Sequence, residues 1–146
     1  MPQNLKGGST RCAYAKSLNW RSPAERWSAR PFFDTGSGYT ITRRTFFEKS
    51  FGPSWERLSN PVKLHLVNGE FVEADKYARV TLIIDGVELL PPETVLVLDE
   101  FVEEVEVDGR RIKTPEVIVG AGTMDKYGIL LDPREGVKVL GAGLLL

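Results

Sequence analysis

At 146 residues the chain is long enough for one domain with its own core, and with 42% hydrophobic residues, 27% charged residues and a net charge of −1 it is composed like a globular protein, which excludes a disordered, charge-rich tail. A single cysteine, Cys12, excludes an intrachain disulfide and argues against a cysteine-based metal site. No run of about 18 apolar residues and no apolar N-terminal stretch occurs, so neither a membrane span nor secretion is expected and a cytoplasmic location is.

Residues 1–31 differ from the remainder: they hold six Lys and Arg against Glu25 alone, whereas residues 32–146 hold thirteen basic against nineteen acidic residues. This segment is rich in Ser, Arg, Gly, Asn and Trp and has no sustained period of two or 3.6, so residues 1–31 are expected to be irregular or poorly ordered and residues 32–146 to form the domain. Cys12 has no paired histidine nearby and reads as an incidental thiol. Trp20, Trp27 and the neighbouring arginines lack a basic fold element, so no nucleic-acid partner is expected.

After Phe32-Phe33 comes a turn signal, Asp34-Thr35-Gly36-Ser37-Gly38, then a short strand over Tyr39-Thr40-Ile41-Thr42 and a helix from Arg43 to Phe51 ended by Gly52-Pro53. Val62, Leu64 and Leu66 alternate with polar residues, Asn68-Gly69 breaks the run, and Phe71 begins a second alternating stretch, which predicts a hairpin from Lys63 to Val80. In the first of these strands His65 is placed to face solvent. Ala78–Ile84 and Val87–Leu90 flank Asp85-Gly86 as a second hairpin, and Val95–Leu98 is a further apolar strand. The acidic run Asp99, Glu100, Glu103, Glu104 and Glu106 reads as a solvated strand edge rather than a cation site. Val105–Val107 and Arg111–Lys113 flank Asp108-Gly109 as a third hairpin; Val117-Ile118-Val119 leads into Gly120, with a short helix over Thr123–Tyr127 ended by Gly128. Ile129–Leu131, a turn at Asp132-Pro133 and Val137–Leu140 close the chain. Many short strands with hairpin turns and little helix point to a mostly β protein, an antiparallel barrel or sandwich with one or two short helices.

The stretch Phe32-Phe33-Asp34-Thr35-Gly36-Ser37-Gly38-Tyr39-Thr40-Ile41 resembles the catalytic loop of aspartic peptidases. By itself Asp-Thr-Gly also suits an ordinary turn. Two further features fall in the family's order and spacing: the Lys63–Val80 hairpin, where the family has its substrate-covering flap, and Val117-Ile118-Val119-Gly120, similar to the apolar-apolar-Gly element that passes beneath the catalytic loop. Together they give a resemblance to the retropepsin-like (retroviral-type) aspartic peptidases over about residues 32–140.

That resemblance implies a closed antiparallel β-barrel of the retropepsin type and an aspartic endopeptidase acting on peptide or unfolded protein segments, without metal or cofactor. One Asp34 per chain implies a homodimer, since no second Asp-[Thr/Ser]-Gly occurs. Asp34, Thr35 and Gly36 are the catalytic candidates, with Thr35 bonding across the two-fold axis. Ser37, Asn68, Gly69, Ile118 and Gly120 are the substrate-binding candidates. The Ser37 hydroxyl is placed to donate to Asp34, which would favour the charged carboxylate and acid working conditions. A mainly apolar groove is expected around Phe71, Val95–Leu98 and Ile118. The alternative is an inactive barrel of the same fold that binds peptides or proteins.

Two departures stand out. Viral relatives usually pair an Asp, two positions after the triplet's Gly, with an Arg just after the apolar-apolar-Gly element; Gly38 and Ala121 stand there, so dimer contacts need not copy theirs. Upstream, Trp27-Ser28-Ala29-Arg30-Pro31 replaces the family's alternating hairpin, and a proline beside Phe32 is hard to place in a central strand. Residues 1–31 are therefore expected to lie outside the native fold.

Overall fold

The computed structural model describes residues 12–13, 18–21, 26–29, 31–34, 36–65, 71–99, 104–107, 109–113, 116–132 and 134–140. In chain order the elements are β1 (Cys12–Ala13), β2 (Leu18–Arg21), β3 (Arg26–Ala29), β4 (Pro31–Asp34), β5 (Ile41–Arg43), α1 (Arg44–Phe51), β6 (Glu56–His65), β7 (Phe71–Ile84), β8 (Val87–Leu98), β9 (Glu104–Val107), β10 (Arg110–Lys113), β11 (Val117–Gly120), α2 (Ala121–Tyr127), β12 (Ile129–Asp132) and β13 (Gly136–Val139). Nine strands form one sheet in the order β1-β4-β11-β5-β8-β7-β2-β3, with β6 on β7, and it curls into a half-barrel. Two pairings in this mostly antiparallel sheet are parallel, β4 with β11 and β5 with β8.

Local chemistry sets the turns. Asp85 and Gly86 both have positive φ, 50° and 81°, so the β7–β8 hairpin turns through the mirror-image geometry that matches strand twist, and Ile84 pairs with Val87. Gly109, φ 77°, serves the β9–β10 hairpin, where Val107 pairs with Arg110. In the β6–β7 hairpin His65 pairs with Phe71; its turn, with Asn68 and Gly69, lies outside the described residues. Helix α1 buries Phe47 and Ser50 one turn apart and stops where the Gly52 N–H donates to the Glu48 carbonyl at 2.7 Å. Helix α2 starts two residues before the expected Thr123 and ends at Gly128, φ 67°.

Three expectations change in tertiary context. The described residues within 1–31 contribute ladders: β2 pairs antiparallel with β7, Leu18 opposite Ile84, and β1 pairs with β4. Periodicity is silent there because strands of two to four residues are too short to show it. Pro31 fits as the first residue of β4, where it pairs with Val117 of β11. Expected as two strands, Val87–Leu98 is one, running through Pro91-Pro92 with a cis Leu90–Pro91 bond, while β6 accommodates Pro61 by a register shift between Arg57 and Val62.

The sheet carries apolar residues on both faces. Phe33, Val117 and Val119 join Phe47, Val80, Leu82, Ile84, Val95, Val97, Met124 and Tyr127 in the main core. A second cluster gathers Ile41, Ala74, Leu96 and Leu98, with Leu58, Val62, Leu64, Val72, Tyr77 and Ile118 packed against it.

Candidate active site

Asp34 ends β4, where the alternation of the strand buries Phe33 in the main core and turns Phe32 and Asp34 to the opposite face, half-buried. On the parallel ladder Phe32 pairs with Ile118 and Asp34 with Gly120, so Ile118 and Gly120 share that face. The row continues from Ile118 to Ile41, Leu96 and Tyr77 across β5, β8 and β7. All four belong to the second apolar cluster, and the β6–β7 hairpin lays Val62, Leu64 and Val72 on it. An apolar floor therefore runs from beside the Asp34 strand to beneath that hairpin. Of the expected groove residues Leu96, Leu98 and Ile118 belong to it, whereas Val95 and Val97 alternate to the main core and Phe71 is exposed, its ring against His65 and beneath Lys63.

The loop after Asp34 is tight. The Gly36 N–H donates to Asp34 Oδ1 at 2.8 Å and the Ser37 N–H to the Asp34 carbonyl at 3.1 Å. Ser37 differs from expectation: its hydroxyl donates to the Tyr39 carbonyl at 2.7 Å, because the turn folds that carbonyl back onto it, and the backbone of Gly36 reaches the carboxylate instead. Thr35, Asn68 and Gly69 lie outside the described residues. Gly38 and Tyr39 are exposed.

Gly120 is where two segments meet. A Cβ there would sit inside van der Waals contact of the Tyr39 carbonyl oxygen and 2.7 Å from that of Ser37, so only glycine lets the Asp34 loop lie on β11. The Ala121 N–H donates to the Ser37 carbonyl at 2.7 Å, and the Gly120 N–H to Thr40 Oγ1 at 3.0 Å. Where the viral pattern would place a side-chain ion pair, at Gly38 and Ala121, this chain uses backbone contacts.

Beyond Thr40 lies a network with no signal in the motif. Thr40 Oγ1 is 2.6 Å from Thr123 Oγ1, the Thr123 hydroxyl donates to Glu93 Oε2 at 2.6 Å, and Lys126 Nζ stands 3.2 Å from Glu93 Oε1. Glu93 is 8% exposed although it follows two prolines, a context that reads as surface. Elsewhere, Lys76 bridges Asp75 and Asp99, each at 2.9 Å, and Arg44 donates to Asp99 at 2.7 Å. The hydrogen bond from Lys76 holds the Asp99 carboxyl below its ordinary value, against a smaller opposing effect of burial. Among the described residues no group of three or more His, Cys, Asp or Glu is placed to hold a metal ion.

Neither the protein-family models nor the curated proteins match this sequence. Solved structures do. The crystal structure of the retroviral protease-like domain of Ddi1 from Leishmania major superposes with a TM-score of 0.53 at 10% identity, covering 90% of this chain and 91% of that one. The solution structure of Simian Foamy Virus (mac) protease gives a TM-score of 0.41 at 14% identity, covering 75% of this chain and 92% of that one. The first likeness spans nearly the whole of both chains and matches the mostly β architecture with two short helices described above: this chain has the retropepsin-like fold.

Proposed function

We propose that this protein is an aspartic endopeptidase whose active site forms from two Asp34 carboxylates, one from each copy of a homodimer. The observation that carries this reading is the Asp34–Gly36 turn laid on Gly120, with the carboxylate held by the Gly36 N–H at the edge of an apolar floor. Two carboxylates about 3 Å apart cannot both ionise comfortably, so the pair shares one proton. The ionised member takes a proton from water as the water oxygen bonds to the peptide carbonyl carbon, and the protonated member gives its proton to the carbonyl oxygen. Collapse of the resulting diol breaks the C–N bond: the departing amine takes a proton from the carboxyl that was protonated by the water, and one diol hydroxyl gives its proton to the other carboxylate, which leaves a carboxylic acid and restores the single shared proton. Substrates would be extended segments of unfolded protein, with apolar side chains beside the half-buried Ile118 at the Asp34 end of that floor. A single cysteine is compatible with work in a reducing, cytoplasmic setting.

Cleavage of a denatured protein from about pH 3 to about pH 8 tests this, with Asp34→Asn and a pepstatin-type inhibitor as controls. Activity lost with both is the expected result. A folded dimer by sedimentation that cleaves nothing would refute the peptidase reading and leave a peptide-binding module of the same fold.

A further inference from the structure

We propose that Thr40, Thr123 and Glu93 are positioning residues: a directed chain of hydrogen bonds, anchored on a buried carboxylate, that sets the Gly120 floor on which the Asp34 loop rests. An ionised Glu93 can only accept, so the one hydroxyl proton of Thr123 goes to Oε2. Thr123 Oγ1 then has only lone pairs to offer Thr40, and in the 2.6 Å contact between the two hydroxyls Thr40 is the donor. Thr40 Oγ1 is in turn free to accept the Gly120 N–H. Every proton runs one way, from Gly120 to Thr40 to Thr123 to Glu93, and the carboxylate sets the direction. Its other oxygen is held from the far side by the Thr94 N–H at 3.0 Å and by Lys126 at 3.2 Å.

The chain's placement ties it to the site. Gly120 is the ladder partner of Asp34, and its Cα lies under the Ser37 and Tyr39 carbonyls, so a shift in the Gly120 peptide is a shift of the turn that orients the carboxylate. The residues come from β8, α2, the loop before β5 and the end of β11, joining four pieces of chain at one point. Thr40 and Thr123 are buried, so water cannot stand in for a lost partner. Such a chain transmits orientation, whereas an apolar contact of the same volume would supply only packing.

The activity arm of the test rests on the peptidase reading; a second arm does not. Thr123→Val removes the link at constant shape, and Thr123→Ser restores it. Glu93→Gln breaks the anchor: turned one way its NH2 faces Lys126 and the Thr94 N–H, and turned the other it donates to Thr123 and leaves one of the two threonine hydroxyls without an acceptor. Hydrogen exchange at the Gly120 amide is compared with that at Leu96, whose N–H is held by the Thr40 carbonyl and not by its side chain. The expected result is that Thr123→Val or Glu93→Gln speeds Gly120 exchange about tenfold while leaving Leu96 unchanged, and lowers kcat about ten- to a hundredfold with KM changed less than about threefold. Thr123→Ser returns both to wild type. Should one of the two disruptive variants fail to fold, the other carries the comparison. An inactive wild type whose Gly120 exchange still depends on Thr123 would sink the peptidase reading and support the positioning chain. Unchanged Gly120 exchange in a folded variant, or an active enzyme whose kcat is indifferent to both changes, would overturn it.

Discussion

Gly120→Ala is the sharpest perturbation of the site. Its backbone angles, φ −92° and ψ 174°, suit any residue, so alanine meets no conformational penalty. The obstacle is steric: three backbone atoms, the Tyr39 carbonyl oxygen and carbon and the Ser37 carbonyl oxygen, lie within 2.7 Å of the added methyl. None is the end of a flexible side chain, so the Asp34 loop must lift away from β11. Overpacking of this kind costs about 3 kcal/mol. With an unfolding entropy of about 2.1 cal/mol/K per residue, a chain of this length loses about 10 °C in Tm. The assay is thermal unfolding by circular dichroism at fixed protein concentration, because the proposed dimer would make Tm concentration-dependent. Two controls lie nearby, Gly38 in the loop and Gly122 in α2. A Cβ on Gly38 meets nothing within 4 Å and should leave Tm within about 2 °C. A Cβ on Gly122 comes to 3.1 Å from the Gly38 carbonyl oxygen, a crowding that offsets the gain of about 1 kcal/mol from alanine in a helix. If Gly120→Ala melts with the wild type and keeps its activity, the loop does not rest on Gly120 as described.

Other outcomes follow from single features. Gly86→Ala has open space around its Cβ but a φ of 81°, so it should lose about 1 kcal/mol, read as a fall of about 3 °C in Tm, through backbone strain alone. Lys76→Met takes the ammonium from between Asp75 and Asp99; both carboxylates are partly exposed and regain water, which limits the loss in urea denaturation to about 1–2 kcal/mol. Asp75 and Asp99 are held below the ordinary carboxylate value first by hydrogen bonds from Lys76, and Asp132 first by the Glu135 and Arg134 N–H groups. A carboxyl with a depressed folded pKa contributes stability in full above its unfolded value and loses it as pH falls through the folded one, so the urea midpoint should hold above about pH 5 and fall below about pH 4. In Asp99→Asn that fall should be shallower; an equal acid slope in the variant and the wild type would remove Asp99 from the account.

Legibility in the sequence tracks how far apart the deciding atoms are along the chain. The Asp85-Gly86 turn, the turn at Gly109, the stop of α1 at Gly52 and that of α2 at Gly128 were readable because each depends on a few neighbouring dihedrals. Ile118 and Gly120 were recognisable as a motif, and the ladder that seats Gly120 opposite Asp34 accounts for the pattern. The Ser37 hydroxyl was misassigned because the choice between Asp34 and the Tyr39 carbonyl is made by the fold of a loop three residues deep, not by residue type.

By itself, then, the sequence determined the mostly β architecture, the principal hairpins and the place of Asp34 at the mouth of a glycine turn, all of them consequences of alternation and local backbone preference. Tertiary structure alone decided three things. Strands β1 and β2 gain their order from β4 and from β7 and β3, Pro31 is placed as the first residue of β4 by its partner Val117 on β11, and Glu93 is buried because Thr123 and Lys126, about thirty residues away, supply partners. A short strand or a buried charge has no local period to announce it; its stability comes from hydrogen bonds completed by distant parts of the chain.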